Sequence, residues 1–357
     1  MKVHSAPMTA LGLKKKAAYS IAIIGATGAV GKETLEIMEE RSFPVGELRL
    51  FASKRSAGER LSCGKVSGIV HELEKADLAG VDIGFVSATD EISREWCPKI
   101  AAVGGIAIDD SAVFRMDPDV PLVVPEVNED ALALHKGIVA IPNCTTTPLV
   151  MVLAPLHKAA GIKRVVVSTY QSVSGTGKKA MDELFNQTRD LLSFREVEPE
   201  VYPHQIAFNC IPHIGSFDEA GDSSEEVKIA RETRKILGLP DLPVTSTTVR
   251  VPVFRCHSEA VNVELERPLN PNEARALLAE QPGVIVYDDP GRKIYPHPIA
   301  GAGKDEVYVG RIRRDDSVKH GLNLWLVSDN LRKGAALNAI QIAEALVRRA
   351  EQGSVNG

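Results

Sequence analysis

Ser20-Ile-Ala-Ile-Ile-Gly25-Ala-Thr-Gly28-Ala-Val-Gly31-Lys-Glu-Thr-Leu-Glu-Ile-Met-Glu-Glu40 decides the fold. Its first five residues form an apolar run without alternation, as a strand buried on both faces requires. The last nine have the amphipathic spacing of a helix. Glycines between strand and helix permit a tight turn and let backbone N–H groups approach a pyrophosphate at the helix N-terminus. The motif is G-x-x-G-x-x-G rather than G-x-G-x-x-G, and its position between strand and helix makes it informative. Candidate phosphate contacts are Gly25, Thr27, Gly28, Ala29, Val30 and Gly31.

Working outward, Glu47–Ala52 reads as the second strand. It lacks the terminal acid that would bind the ribose hydroxyls of NAD, and runs into Ser53-Lys-Arg55-Ser56-Ala-Gly58. A guanidinium and two hydroxyls at Ser53, Arg55 and Ser56 suit a 2′-phosphate, so NADP is expected; a solvated basic turn is the plainer alternative. Strands follow at Val81–Ser87 and Ile106–Asp109, alternating with helical segments in the rhythm of a parallel sheet.

Asn143-Cys144-Thr-Thr-Thr-Pro148 lies between a short strand, Gly137–Ile141, and a helix read over Leu149–Ala160 and ended by Gly161. Pro148 suits a first turn. A cysteine before a helix N-terminus faces the positive end of the dipole, a setting that favours thiolate. Cys144 is therefore either a nucleophile or a buried structural cysteine.

The chain has 357 residues, enough for two domains. Its 42 basic and 47 acidic residues give a net charge of −5 and no sign of a nucleic-acid partner. No stretch approaches a membrane span. Five cysteines, at 63, 97, 144, 210 and 256, are odd in number and lack metal-ligand spacing. No metal is expected, and a reduced, cytoplasmic chain is the simpler reading. Residues 1–18 are basic and read as a flexible extension.

Past residue 160 the pattern changes. Lys163–Gln171, Thr247–Arg255, Ala260–Glu266 and Glu306–Ile312 read as strands with few regular helices among them, giving a mixed, mainly antiparallel sheet. Asn330–Arg349 reads as a helix returning to the first domain. The expected architecture is α/β: a Rossmann-type parallel-sheet domain over 19–143 plus 330–357, and an α+β catalytic and dimerisation domain over 144–329.

Several segments together resemble the aspartate-semialdehyde dehydrogenase family. They are Gly25–Gly31, Phe114-Arg-Met, Pro121–Asn128, Pro142-Asn-Cys-Thr-Thr146, Gln171–Gly177, Arg250–His257 and Asp329–Ala336. The match runs from about Ser20 to Arg349. One departure is Asp109-Asp110-Ser111, where many members have Asp-Asn-Ser. The resemblance implies interconversion of aspartyl 4-phosphate and aspartate 4-semialdehyde with NADPH, toward lysine, threonine and methionine.

It also implies roles. Reducing an acyl phosphate needs a nucleophile that forms a reducible acyl intermediate, and a thioester stays electrophilic because sulfur donates poorly to its carbonyl. Cys144 resembles the family's acyl-enzyme cysteine, His257 its acid/base histidine and Gln171 the side chain that orients substrate beside the thiol. Arg250 resembles the clamp on the substrate carboxylate. Arg250 and His257, an odd number of residues apart, would face opposite ways in one regular strand, and Pro252 points to a bulge or bend between them. Glu225 would meet the substrate amine, Lys228 and Arg115 the phosphate; read alone, these three are an ordinary charged face. Ser174, Gly175 and Asn330 would lie at the nicotinamide end of the cofactor.

Two other readings fit parts of the pattern: a reductase of N-acetyl-glutamyl phosphate, and a non-catalytic NADP-binding paralogue. Retention of Cys144, Gln171, Arg250 and His257 speaks against the second, and Glu225 against the first. A homodimer is expected, with four-chain assembly open, because few helices are read to cover the second sheet.

Overall fold

The computed structural model describes residues 12–353. Residues 1–11 of the expected extension lie outside them; within 12–18, Lys16 ion-pairs with Asp82 at 2.6 Å. The described residues divide into two compact units, one of residues 12–125, 129–141 and 338–353, the other of 126–128 and 142–337. The return to the first unit thus falls at residue 338, eight residues beyond the expected boundary.

The first unit is built on strands β1 (Tyr19–Ile24), β2 (Val45–Ala52), β3 (Arg60–Cys63), β4 (Val66–Glu72), β5 (Ile83–Val86), β6 (Ile106–Asp109) and β7 (Ile138–Ala140). They lie in the order β3-β4-β2-β1-β5-β6-β7. All pairs are parallel except β3 with β4. The chain leaves β1 toward β2 on one side and resumes with β5 on the other, the switch point at which such sheets bind ligands. Ile21, Ala22, Ile23 and Ile24 are buried, which is why β1 carries no polar alternation. Helices α1 (Ala29–Glu40) and α2 (Asp90–Ala102) connect the parallel strands. The β3–β4 hairpin escaped the sequence reading because its strands are short and half polar.

Two glycines fix the β1–α1 turn. Gly25 has φ +89°, and a Cβ there would collide with the Ser87 carbonyl. A Cβ on Gly31 would collide with the Gly25 carbonyl and stand 2.8 Å from the Ala26 Cα. Only glycine permits either the backbone angle or the approach.

The second unit holds β8 (Ile162–Gln171), β9 (Val244–Arg250), β10 (His257–Leu265), β11 (Val284–Val286), β12 (Val307–Asp315) and β13 (Gly321–Ser328). Their order is β11-β12-β13-β10-β8-β9, with β8–β9 and β11–β12 parallel and the rest antiparallel. Besides the short helix α3 (Pro125–Asn128) near the start, its helices are α4 (Thr146–Ala160), α5 (Lys178–Leu192), α6 (Ser224–Leu237), α7 (Pro271–Glu280) and α8 (Pro298–Gly301), with α9 (Leu337–Gly353) returning the chain. The expectation of few regular helices among these strands is corrected: α5, α6 and α7 are regular. Ser223 and Asn270 close capping boxes with Glu226 and Glu273 at the starts of α6 and α7. The segment read as one strand over Thr247–Arg255 ends at Arg250, and the next strand starts at His257.

Candidate active site

The catalytic candidates converge because of strand order. β8 is flanked by β10 on one side and β9 on the other. Gln171 at its end pairs in register with Arg250, while Tyr170 pairs with Ser258 beside His257. The parity problem seen in the sequence disappears, since Arg250 and His257 stand on separate strands bracketing the same strand end. The turn between them contains Cys256 at φ +76°, a strained angle for a residue with a Cβ.

His257 is buried, and its Nδ1 accepts the backbone N–H of Ser172 at 3.0 Å. An N–H can only donate, so the neutral ring carries its proton on Nε2. Burial, then the positive charge of Arg250, hold the ring well below its usual pKa, so it stays neutral. Nε2 is buried without a hydrogen-bond partner, as is Nε of Arg250. A methyl group at Gly175 would lie 3.3 Å from Arg250 Nη1, His257 Cε1 and His257 Nε2 alike. These three residues therefore meet at one point, where Arg250 Nη1 donates to the Ser172 carbonyl at 2.6 Å and His257 Nε2 has no partner among the described residues.

The thiol sits at the start of α4, which begins at Thr146 rather than Leu149, leaving Cys144 just before the helix. Asn143 shapes this turn. Its Oδ1 accepts from Thr145 N at 2.9 Å and Thr145 Oγ1 at 2.7 Å, and lies 3.7 Å from Cys144 Sγ. Its Nδ2 donates to Glu225 Oε1 at 3.0 Å, and its backbone N–H to Glu232 Oε2 at 2.7 Å. Gln171 Nε2 donates to the same Glu225 oxygen at 3.1 Å, and Lys228 Nζ stands 3.4 Å from the other. Glu225 thus links the thiol turn, Gln171 and Lys228. Cys144 is half-buried, whereas burial pushes the thiols of Cys63, Cys97 and Cys256 up.

Asn330 is buried, and its Oδ1 accepts from Ser172 Oγ (3.1 Å), Ser174 Oγ (3.0 Å) and Cys256 N (3.1 Å). It holds together the two turns that present His257. Asn143, Ser172, Glu232 and Gly334 were given no role by the sequence reading. Only their spacing to Cys144 or His257 in three dimensions marks them. A Cβ on Gly334 would stand 2.9 Å from the Cys144 Cβ and 3.2 Å from its Cα.

In the first unit a cleft of about 660 Å³ opens beside Gly25, Thr27 and Gly28, and Ser53 and Lys54 also line it. Helix α1 starts there without a capping side chain or an acid in its first turn. Its N–H groups and dipole remain available to an anion, so the chain's own residues fit a dinucleotide phosphate. Arg55 is exposed on the turn after β2. Ser56 is buried and receives the Thr27 hydroxyl at 3.1 Å, which ties that turn to the glycine loop. Arg115, also in the first unit, is buried and donates to the Asp110 carbonyl at 2.8 Å. Among the described residues no group of three or more His, Cys, Asp or Glu is arranged to hold a metal, and no helix is long and apolar enough to cross a membrane.

A doubly wound cofactor unit and a mixed-sheet unit bearing Cys144, His257 and Arg250 define a nicotinamide-dependent dehydrogenase. Residues 20–135 match the family model of the semialdehyde dehydrogenase NAD binding domain, and residues 153–333 that of the semialdehyde dehydrogenase dimerisation domain. The aspartate-semialdehyde dehydrogenase of Aquifex aeolicus is 51% identical over 334 residues, 92% of this chain and 98% of its own. That of Legionella pneumophila is 48% identical, over 92% and 96%. Aspartate semialdehyde dehydrogenase II from Vibrio cholerae, solved in complex with ASA, superposes with a TM-score of 0.91 at 45% identity, covering 93% of this chain and 99% of that one. The chain belongs to the aspartate-semialdehyde dehydrogenase family.

Proposed function

We propose that the protein reduces L-aspartyl 4-phosphate to L-aspartate 4-semialdehyde with NADPH, through a thioester on Cys144. The observation that carries this reading is the convergence of Arg250, His257 and Gly175 on one point of the same unit that holds Cys144 at the start of α4. The Cys144 thiolate attacks the acyl carbon and expels phosphate, leaving the thioester. The bound cofactor supplies the hydride. His257 donates its Nε2–H to the carbonyl oxygen as negative charge develops there, and collapse returns the thiolate and the aldehyde. The Ser172 N–H on Nδ1 supports reading His257, expected as the acid/base group, as a hydrogen-bond donor through Nε2. Arg250, with its partnerless Nε, fixes the substrate carboxylate. Glu225 meets the amine and orients Gln171, and Lys228 and Arg115 bind the phosphate.

NADP is the preferred cofactor in this reading, with Ser53, Arg55 and Ser56 grouped about the 2′-phosphate and no acid at the end of β2. The Candida albicans relative solved with NADP, 25% identical with a TM-score of 0.71, supports it. The second unit forms a homodimer, in keeping with the dimerisation-domain match, and free thiols fit a reducing, cytoplasmic setting. Phosphate-dependent NADP reduction by aspartate 4-semialdehyde tests the function. Activity with that substrate and none with N-acetyl-glutamate semialdehyde is expected; the reverse preference would overturn the reading.

A further inference from the structure

The arginine read as a phosphate ligand has an acid beside it. Arg115 is only 6% exposed, and its Nη2 both donates to the Asp110 carbonyl at 2.8 Å and lies 4.0 Å from the Asp110 carboxylate. Asp110 keeps a solvated side chain, 22% exposed. The neighbouring Asp109 is fully buried and receives the Ser111 hydroxyl at 2.7 Å. Its carboxyl is pushed up, by burial first, although hydrogen bonding by Ser111 and the charge of Arg115 act the other way, and Asp110 is the more exposed of the two carboxylates near the guanidinium. Asp110 follows the last residue of β6 and its N–H donates to the Val86 carbonyl at 2.9 Å, so the carboxylate springs from a fixed backbone.

We propose that Asp110 tunes phosphate affinity: its carboxylate partly neutralises Arg115 and competes with the phosphate group for that cation. This rests on the reading of Arg115 as a phosphate ligand. A carboxylate near a cation lowers the gain from binding a second anion there, and repels a phosphate dianion directly. The consequence is weaker retention of inorganic phosphate after acyl transfer, and a raised phosphate requirement in the oxidative direction. Asp110 touches neither the reacting carbon nor the thiol in this account; it acts on phosphate affinity by setting the charge balance at Arg115.

The test is steady-state oxidation of aspartate 4-semialdehyde by NADP with phosphate varied at constant ionic strength, on the full chain. Asp110→Asn keeps the size and backbone contacts and removes the charge. It should lower the apparent KM for phosphate about 1.5- to fivefold, the range of partly exposed ion pairs. The KM values for NADP and semialdehyde should not move, a split that a general folding defect would not produce. Arg115→Ala should raise the phosphate KM, and Asp110→Asn should have no further effect in that background. If Arg115→Ala raises the phosphate KM while Asp110→Asn leaves it unchanged, the tuning role is wrong and the phosphate role of Arg115 stands. If Arg115→Ala itself leaves it unchanged, both fall.

Discussion

At the scale of single residues, environment separates groups that composition treats alike. Of five cysteines, only Cys144 combines partial exposure with a helix start; Cys256 is buried and its thiol is pushed up, chiefly by burial. Cys144→Ala should abolish turnover while leaving NADP binding measurable, and Cys256→Ala should keep activity. Loss in the second variant together with retention in the first would reverse the assignment. His257→Ala should lower kcat about 10²- to 10³-fold, whereas His257→Gln, whose amide still donates, should recover part of it. Because burial and Arg250 hold the ring neutral, no protonation of His257 should cut the rate between about pH 8 and pH 6.5. Glu259, two residues further along β10, is buried with neither oxygen hydrogen-bonded, and burial pushes its carboxyl well above the usual range. A raised folded pKa favours the protonated form. Its contribution to stability is therefore full below the unfolded pKa of about 4.3 and lost as pH rises toward the folded value. Glu259→Gln mimics the protonated acid, so its gain in Tm should be near zero at about pH 4 and grow toward about pH 8. Equal gains at both pH values would show that ionisation is not what Glu259 costs the fold.

At the scale of elements, the strand-turn-helix at residues 20–40 was legible because its periodicity, glycines and order all agree. The start of α4 was displaced by three residues, since Thr146 and Thr147 have weak helix preference, and the turn that leads into them is held by Asn143, which accepts from Thr145 and from the Thr147 N–H. The run Thr247–Arg255 looked like one strand because its residues are β-formers. The backbone leaves the sheet after Arg250, where Ile211 pairs from outside it and Pro252 offers no donor. Arg250 and His257 were nameable from sequence, but their meeting depends on β8 lying between β9 and β10, a sheet order that no local pattern encodes. The five-residue π-turn Arg332–Ala336 was equally hidden. It brings Gly334 against Cys144, so Gly334→Ala should displace the thiol. The expected result is a kcat fall of at least about tenfold, with unchanged circular dichroism and a stability cost of about 1–3 kcal/mol from overpacking. Wild-type kcat in this variant would show that the turn does not position Cys144.

At the scale of the molecule, each unit contributes different groups: the first a glycine turn beside a cleft, the second the thiol of Cys144, the Nε2–H of His257 and the guanidinium of Arg250. Cofactor choice belongs to the first. Arg55→Ala should raise the KM for NADP roughly tenfold to a hundredfold, the effect of a lost charge-assisted contact, and barely change that for NAD. Equal changes would argue against a 2′-phosphate contact. Assembly belongs to the second, and sedimentation at micromolar concentration should give a dimer; a fully active monomer would refute it. The central claim is the covalent intermediate on Cys144, and the most direct measurement is to trap it. Enzyme mixed with aspartate 4-semialdehyde and NADP, with phosphate omitted, should form about one NADPH per subunit and stop, because only phosphate releases the acyl group efficiently. Acid quenching, digestion and mass spectrometry should then find an aspartyl thioester on the peptide containing Cys144. NADPH formed without an adduct, or an adduct on Cys63, Cys97, Cys210 or Cys256, would contradict the account.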